Sequence, residues 1–166
     1  VSIIANKQDY YFGAALCSLF NRNNGFSPTI IDSSSSDSRA YLFTVNNNPD
    51  FYMYMKHTES CRENTDGSLS WKVKFTNSEN SKLLEYYKTG CKVFVLIICS
   101  QDDYYKSRFL LLTYYEYSLI SEKSSLIIKI NKADKRLKNG FDLYCNRKAI
   151  LTDIAFNRLE KDFHSL

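Results

Sequence analysis

Residues 46–57, NNNPDFYMYMKH, place an aspartate behind a proline and a lysine six positions later, at the end of an aromatic stretch. In an extended chain every second side chain points the same way, so Asp50, Tyr52, Tyr54 and Lys56 share one side. An acid and a lysine on one strand face are the residue types that hold a divalent cation and steady an activated water for phosphodiester hydrolysis. The same residues also spell a tight turn, Asn47, Asn48, Pro49 and Asp50, feeding a strand that ends in a charge. Two positions before Lys56 stands Tyr54, and a phenol is a poor replacement for the hard carboxylate oxygens that hold magnesium. Asp32, Asp37 and Glu59 are the acids that could be recruited in its place.

Other chemistries find less material. His57 near Cys61 is the one local thiol and imidazole pair, and a chance neighbour in a loop explains it as well as a nucleophile system does. The five cysteines, Cys17, Cys61, Cys91, Cys99 and Cys145, form no C-x-x-C pair, and His57 and His164 add no zinc spacing, so no metal site is expected from them. No phosphate loop, dinucleotide fingerprint or nucleophile elbow occurs in a chain with five glycines. A second candidate is electrostatic. KINKADKRLK (129–138) gathers Lys129, Lys132, Lys135, Arg136 and Lys138 around one aspartate, and Lys72 with Lys74 adds charge to a strand face. Such clusters meet phosphates, although a solvated hairpin has the same composition.

The chain has 166 residues, 44% of them hydrophobic and 24% charged, with a net charge of +4, which fits a single folded domain over 1–166. Thirteen tyrosines and eleven phenylalanines favour strands, and outward tyrosines would suit a protein contact face. An odd cysteine count, mostly in apolar stretches, reads as a reducing compartment. The longest apolar run, VFVLIIC at 93–99, is far short of a membrane span, so the protein is expected in the cytoplasm with no membrane partner.

These residues need elements to position them. Phe12, Ala15, Leu16, Leu19 and Phe20 recur at helical intervals within 9–22, with Asp9 as N-cap and NNG as a stop. PTIID (28–32), RAYLFTVN (39–46), FYMYMKH (51–57) and LSWKVKF (69–75) read as consecutive antiparallel strands, separated by the polar loop DSSSSDSR (32–39) and turns. Thr76 and Glu79 form a capping box for a helix over 77–89 that Gly90 ends. CKVFVLIIC (91–99) is a strand buried on both faces, the expected sheet centre. Strands follow at 108–113, 125–130 and 140–145, a helical turn at 114–121, and a closing helix at 152–163 that aligns Ile154, Leu159 and Phe163. The sum is an α+β fold, a mixed β-sheet flanked by helices, with a β-rich C-terminal extension.

The order helix, three strands, helix, strand over residues 9–99 resembles the αβββαβ core of the PD-(D/E)XK nuclease superfamily. That resemblance implies Mg²⁺ as cofactor and a catalytic pair of Asp50, from Pro49-Asp50, with Lys56. Tyr54 departs from the acidic position of that motif, and the interval from Asp50 to Lys56 is shorter than the family's. With no complete catalytic set, no enzyme activity and no cofactor are expected. The sequence reads as a cytosolic interaction module with a protein partner, an accessory or immunity-type protein of a bacterial defence or toxin system. The alternative is a divergent or degenerate nuclease-like protein that contacts nucleic acid through Lys72, Lys74, Lys132, Lys135, Arg136 and Lys138.

Overall fold

The computed structural model describes residues 4–21, 25–101 and 106–160. Helix α1 (Lys7–Phe20) begins at Asn6, whose side chain accepts from the Asp9 backbone while Asp9 returns the bond to the Asn6 backbone. Asp9 therefore sits in the first turn and is not itself the N-cap. Strands β1 (Phe26–Asp32), β2 (Ser38–Val45) and β3 (Asn48–Thr58) form an antiparallel meander. The β2–β3 hairpin turns at Asn46-Asn47, with Asn47 at φ 64°. Helix α2 (Asn77–Lys88) starts at the Thr76/Glu79 capping box, and Gly90 follows at φ 83°, a conformation open to residues without a Cβ.

The helix carries the chain across to β6 (Lys92–Cys99), which pairs in parallel with β3 along its whole length, Phe51 opposite Lys92 through Thr58 opposite Cys99. Strand β7 (Arg108–Thr113) closes a five-stranded mixed sheet in the order β1-β2-β3-β6-β7. The α+β class holds, and the elements of this first sheet follow the αβββαβ order with a two-stranded hairpin inserted before α2. One expected pairing does not hold. The strand expected at 69–75 is β5 (Leu69–Val73), and it pairs with β4 (Cys61–Glu63) and β8 (Leu126–Ile130), not with β3. Asn64, Asp66 and Gly67 make a tight turn there, so β4 and β5 form their own hairpin and leave the first sheet.

A second sheet results, in the order β12-β11-β8-β5-β4, with β11 (Gly140–Cys145) and β12 (Lys148–Ala155) as its far hairpin. The expected closing helix at 152–163 is replaced by β12 and a 3-10 turn at Phe156–Glu160; Phe163 lies outside the described residues. The physical reason is the turn before it. Asn146 and Arg147 both take positive φ, 50° and 66°, the two-residue geometry that folds a strand straight back onto its predecessor. Between β8 and β11, a two-residue ribbon pairs β9 (Lys132–Ala133) with β10 (Arg136–Leu137).

Strand alternation divides the core in two. Phe51, Met53 and Met55 of β3 face α1, where they meet Tyr11, Phe12, Ala15 and Leu19. Tyr54, with Val95 and Ile97 of β6, faces the other way, onto α2, α3 (Tyr114–Ser118) and the inner face of the second sheet. Trp71 of β5 fills the junction, fully buried, and donates its indole N–H to the Ser100 carbonyl at 2.7 Å. The Thr58 hydroxyl donates to the Lys72 carbonyl at 2.8 Å beside it. These bonds tie the end of the first sheet to the start of the second. In urea unfolding, Trp71→Phe should cost about 1–3 kcal/mol by stranding that carbonyl, and Trp71→Ala about 3–5 kcal/mol. Unchanged stability in the phenylalanine variant would show that packing alone joins the sheets there.

Candidate functional site around Lys56

Lys56 follows from strand parity. It lies on the same side of β3 as Tyr54, the side that faces α2, and its β2 neighbour is Ser38. A lysine so buried needs partners, because an unpaired ammonium costs several kcal/mol to remove from water. Two carboxylates supply them. Glu79 of α2 receives the ammonium at 2.6 Å, and Asp37, one residue ahead of β2, receives it at 3.3 Å. The Phe75 ring lies 5.4 Å from the same nitrogen. The side chains of Lys56 and Glu79 are 5% and 10% exposed, whereas that of Asp37 is 50% exposed.

Glu79 is used on both oxygens. Oε1 accepts from Lys56 and, at 2.8 Å, from the Tyr54 hydroxyl, while Oε2 accepts the Thr76 backbone N–H at 2.7 Å. Burial holds the Tyr54 phenol well above its usual range, with Ser38 pulling against it and Glu79 adding to it, so it stays a neutral donor. The loop at 33–37 is pinned as firmly. Asp37 accepts from the Ser35 hydroxyl, its carbonyl accepts the His57 N–H at 2.8 Å, and Arg39 caps the Ser35 and Ser38 carbonyls. Desolvation pushes the Asp37 carboxyl up, but Ser35 and Lys56 outweigh it and hold it below the ordinary value. Asp32, bonded to Lys82 of α2 and to Ser34, is pulled down to about 2.

The sequence-derived pair does not assemble. Asp50 lies exposed at the opposite end of β3, about 20 Å along the strand from Lys56 at roughly 3.3 Å per residue. Its carboxylate accepts the Val45 N–H at 3.4 Å, which is the turn role and not a ligand role. Lys56 does meet acids, but they are Asp37 and Glu79. A magnesium ion does not fit this set. One Glu79 oxygen is filled by two donors, the other caps a helix, Tyr54 offers a phenol, and Asp37 alone turns an oxygen toward solvent. Among the described residues no group of three His, Cys, Asp or Glu side chains could hold a metal ion.

His57 points the other way. Its ring stacks on Tyr11 at 3.9 Å between centroids, and Nε2 meets the Ser100 hydroxyl at 2.8 Å, with Glu59 3.7 Å from Nδ1. This has the outline of a serine, histidine and acid triad, but Ser100 is 1% exposed and its hydroxyl donates to the Thr58 carbonyl. Cys61 packs into the core on the opposite side, so no thiol and imidazole pair forms. None of the five cysteines is in a disulfide. Of the tyrosines, Tyr11, Tyr41, Tyr54 and Tyr117 are buried, Tyr86 stacks on Tyr52 and Tyr87 stacks on Tyr114. Tyr10 projects from α1 while Tyr87 and Tyr115 project from α2 and α3; Tyr104 and Tyr105, like His164, lie outside the described residues.

The basic candidates separate too. Lys72, and Lys74 just beyond β5, lie on the outer side of the second sheet, whereas Lys132, Lys135, Arg136 and Lys138 are exposed on the β9–β10 ribbon. Missed in the sequence were Glu79, read only as a helix cap, and Arg62 and Arg147, which reach the sheet face from a short strand and a hairpin turn. No family model matches this chain, and neither a curated protein nor a solved structure matches it.

Two stability measurements follow from this geometry. Lys56→Met leaves Glu79 buried without its cation and should cost about 3–5 kcal/mol, and adding Glu79→Gln should recover part of that loss. If the double variant is less stable than the single, Glu79 is held by something other than Lys56. Burial holds the His57 imidazole below its ordinary pKa, with Lys7 acting in the same sense and Glu59 and Asp37 opposing. The unfolded ring takes its proton near pH 6.5. Stability is therefore full above that pH and falls as the pH drops through it, until the folded ring is protonated as well. Unfolding free energies at pH 7.5 and 5.5 should differ in the wild type and differ less in His57→Phe.

Proposed function

We propose that this chain is a recognition module that binds without turnover, built on a nuclease-like framework whose cation position is taken by its own lysine. The observation that carries this reading is Lys56 held between Glu79 and Asp37. The framework is supported by the αβββαβ order and the parallel β3–β6 pair, with an aspartate leading into β2 and a lysine inside β3. The loss of turnover is supported by Tyr54 in the acidic position and by the saturated, buried Glu79. An internal ammonium provides the charge balance that a metal would provide in an active site, and it leaves no open coordination position.

One observation favours a second reading, that of a divergent nuclease. Asp37 is half exposed beside Lys56 and could move a carboxylate oxygen toward a ligand. Incubation of the purified protein with Mg²⁺ or Mn²⁺ and single-stranded or duplex DNA and RNA separates the two. The expected result is no metal-dependent cleavage above the level of an Asp37→Asn, Lys56→Ala variant. Cleavage lost in Asp37→Asn, with thermal unfolding unchanged, would replace recognition by catalysis.

A further inference from the structure

The outer face of the second sheet carries charge that the fold does not use. Register places Arg62 of β4 opposite Ser70 of β5, and Ser70 opposite Lys129 of β8. The next outward row runs from Lys72 to Ile127 and on to Tyr144 of β11. Arg147, in the β11–β12 turn, lies beyond Tyr144. Three open hollows follow these rows. One of about 490 Å³ is lined by Arg62, Ser70, Lys72, Ile127 and Lys129 among others. A second of about 400 Å³ shares Ile127 and Lys129 and adds Tyr144 and Arg147. A third of about 360 Å³ shares Lys72 with the first and Ser125 with the second, and adds Lys74. Shared walls make them one continuous surface.

The charges there are poorly compensated. Among the described residues Arg62, Lys72, Lys74 and Arg147 have no ion-pair partner, and Lys129 has a loose one, Asp66 at 3.7 Å. Asp142, the acid opposite Lys129, is 6% exposed and already accepts from Asn131 and from the Asp153 N–H. Tyr144 has no ring partner among the described residues, in contrast to Tyr52, Tyr86, Tyr87 and Tyr114, all of which stack.

We infer that this face is a binding site for single-stranded nucleic acid, with phosphates along Arg62, Lys72 and Lys129 and a base stacked on Tyr144 beside Arg147. The choice of ligand rests on two properties together. A track of unpaired cations matches a polyanion. Apolar and aromatic surface set between those cations suits unstacked bases, whereas a duplex presents phosphates and keeps its base faces covered. The inference builds on recognition without turnover and names its ligand, but the two fail separately: cleavage defeats the first, and the binding data below defeat the second.

Fluorescence anisotropy with labelled oligothymidylate and oligouridylate, a hairpin duplex of equal length and labelled heparin tests it. Both single strands should bind more tightly than duplex or heparin, with a log–log salt slope near −2 to −3 for three or four phosphates at about −0.7 each. Lys72→Gln with Lys129→Gln should weaken binding at least tenfold and make the slope about 1.4 units shallower. Tyr144→Ala should weaken it about tenfold with the slope unchanged, and Tyr144→Phe should restore it. All variants lie on the surface and should melt as the wild type does. Failure to bind either strand at low salt, equal binding of heparin or duplex, or wild-type affinity in the double lysine variant would each overturn the assignment.

Discussion

The interaction on which most of this structure depends is the ion pair between Lys56 and Glu79. Each partner is placed by a different rule. Lys56 is inward because β3 alternates, and Glu79 is inward because it closes the capping box that starts α2. Their meeting at 2.6 Å fixes the N-terminus of α2 against the middle of the first sheet. That position in turn sets where the chain enters β6, which must run parallel to β3. A buried pair contributes little net stability when whole, because desolvation offsets attraction, but it is costly to break. It therefore acts on specificity: any register of β3 that turns Lys56 outward leaves Glu79 charged and alone in the core.

The same logic explains why the polar loop at 33–37 is ordered in spite of its composition. Serine and aspartate there satisfy one another locally, and Lys56 and Lys82 reach it from β3 and α2. Its backbone is joined to β3 as well, through the His57 N–H on the Asp37 carbonyl. A segment that reads as a solvated connection thus forms one wall of the cluster, and Asp37 arrives at Lys56 from the N-terminal end of β2.

What could be read from the sequence was local. The α2 boundaries followed from Thr76, Glu79 and Gly90, and the apolar run at 91–99 gave a strand covered on both faces. What could not be read was set by distant partners. Glu79 carries the same cap signature whether or not a lysine 23 positions earlier points at it. The strand at 69–75 shows clean alternation in either sheet, and only the turn at 64–67 decides which one it joins. The segment 152–155, expected as the start of the closing helix, fits a strand as well, and the left-handed Asn146-Arg147 turn, with β11 beside it, decides for the strand. Asp50 and Lys56 are six positions apart on one strand, and the register breaks between Asn48 and Phe51, so period alone overstated their proximity.

Charge on this chain is sorted by accessibility, and that sorting matters more than the net value of +4. Of the cations that touch the core, Lys56 and Arg158 are paired with Glu79 and Glu116, whereas Arg39 and Arg108 lie over the Phe12 and Phe156 rings, and the Asp32–Lys82 pair closes the loop beside α2. The fields of these pairs are neutralised over a few ångströms and contribute little at a distance. Among the described residues, Arg62, Lys72 and Arg147 on the outer face of the second sheet have no such pairing, and solvent screens them. Carboxylates bound to buried cations do not screen the outward ones, and elsewhere on the surface Glu59 pairs with Lys7 while Asp66 lies near Lys129. The Lys56–Glu79 pair and the positive outer face of the second sheet thus differ in how near a carboxylate stands to each cation, 2.6 Å for Lys56 against 3.7 Å for Lys129.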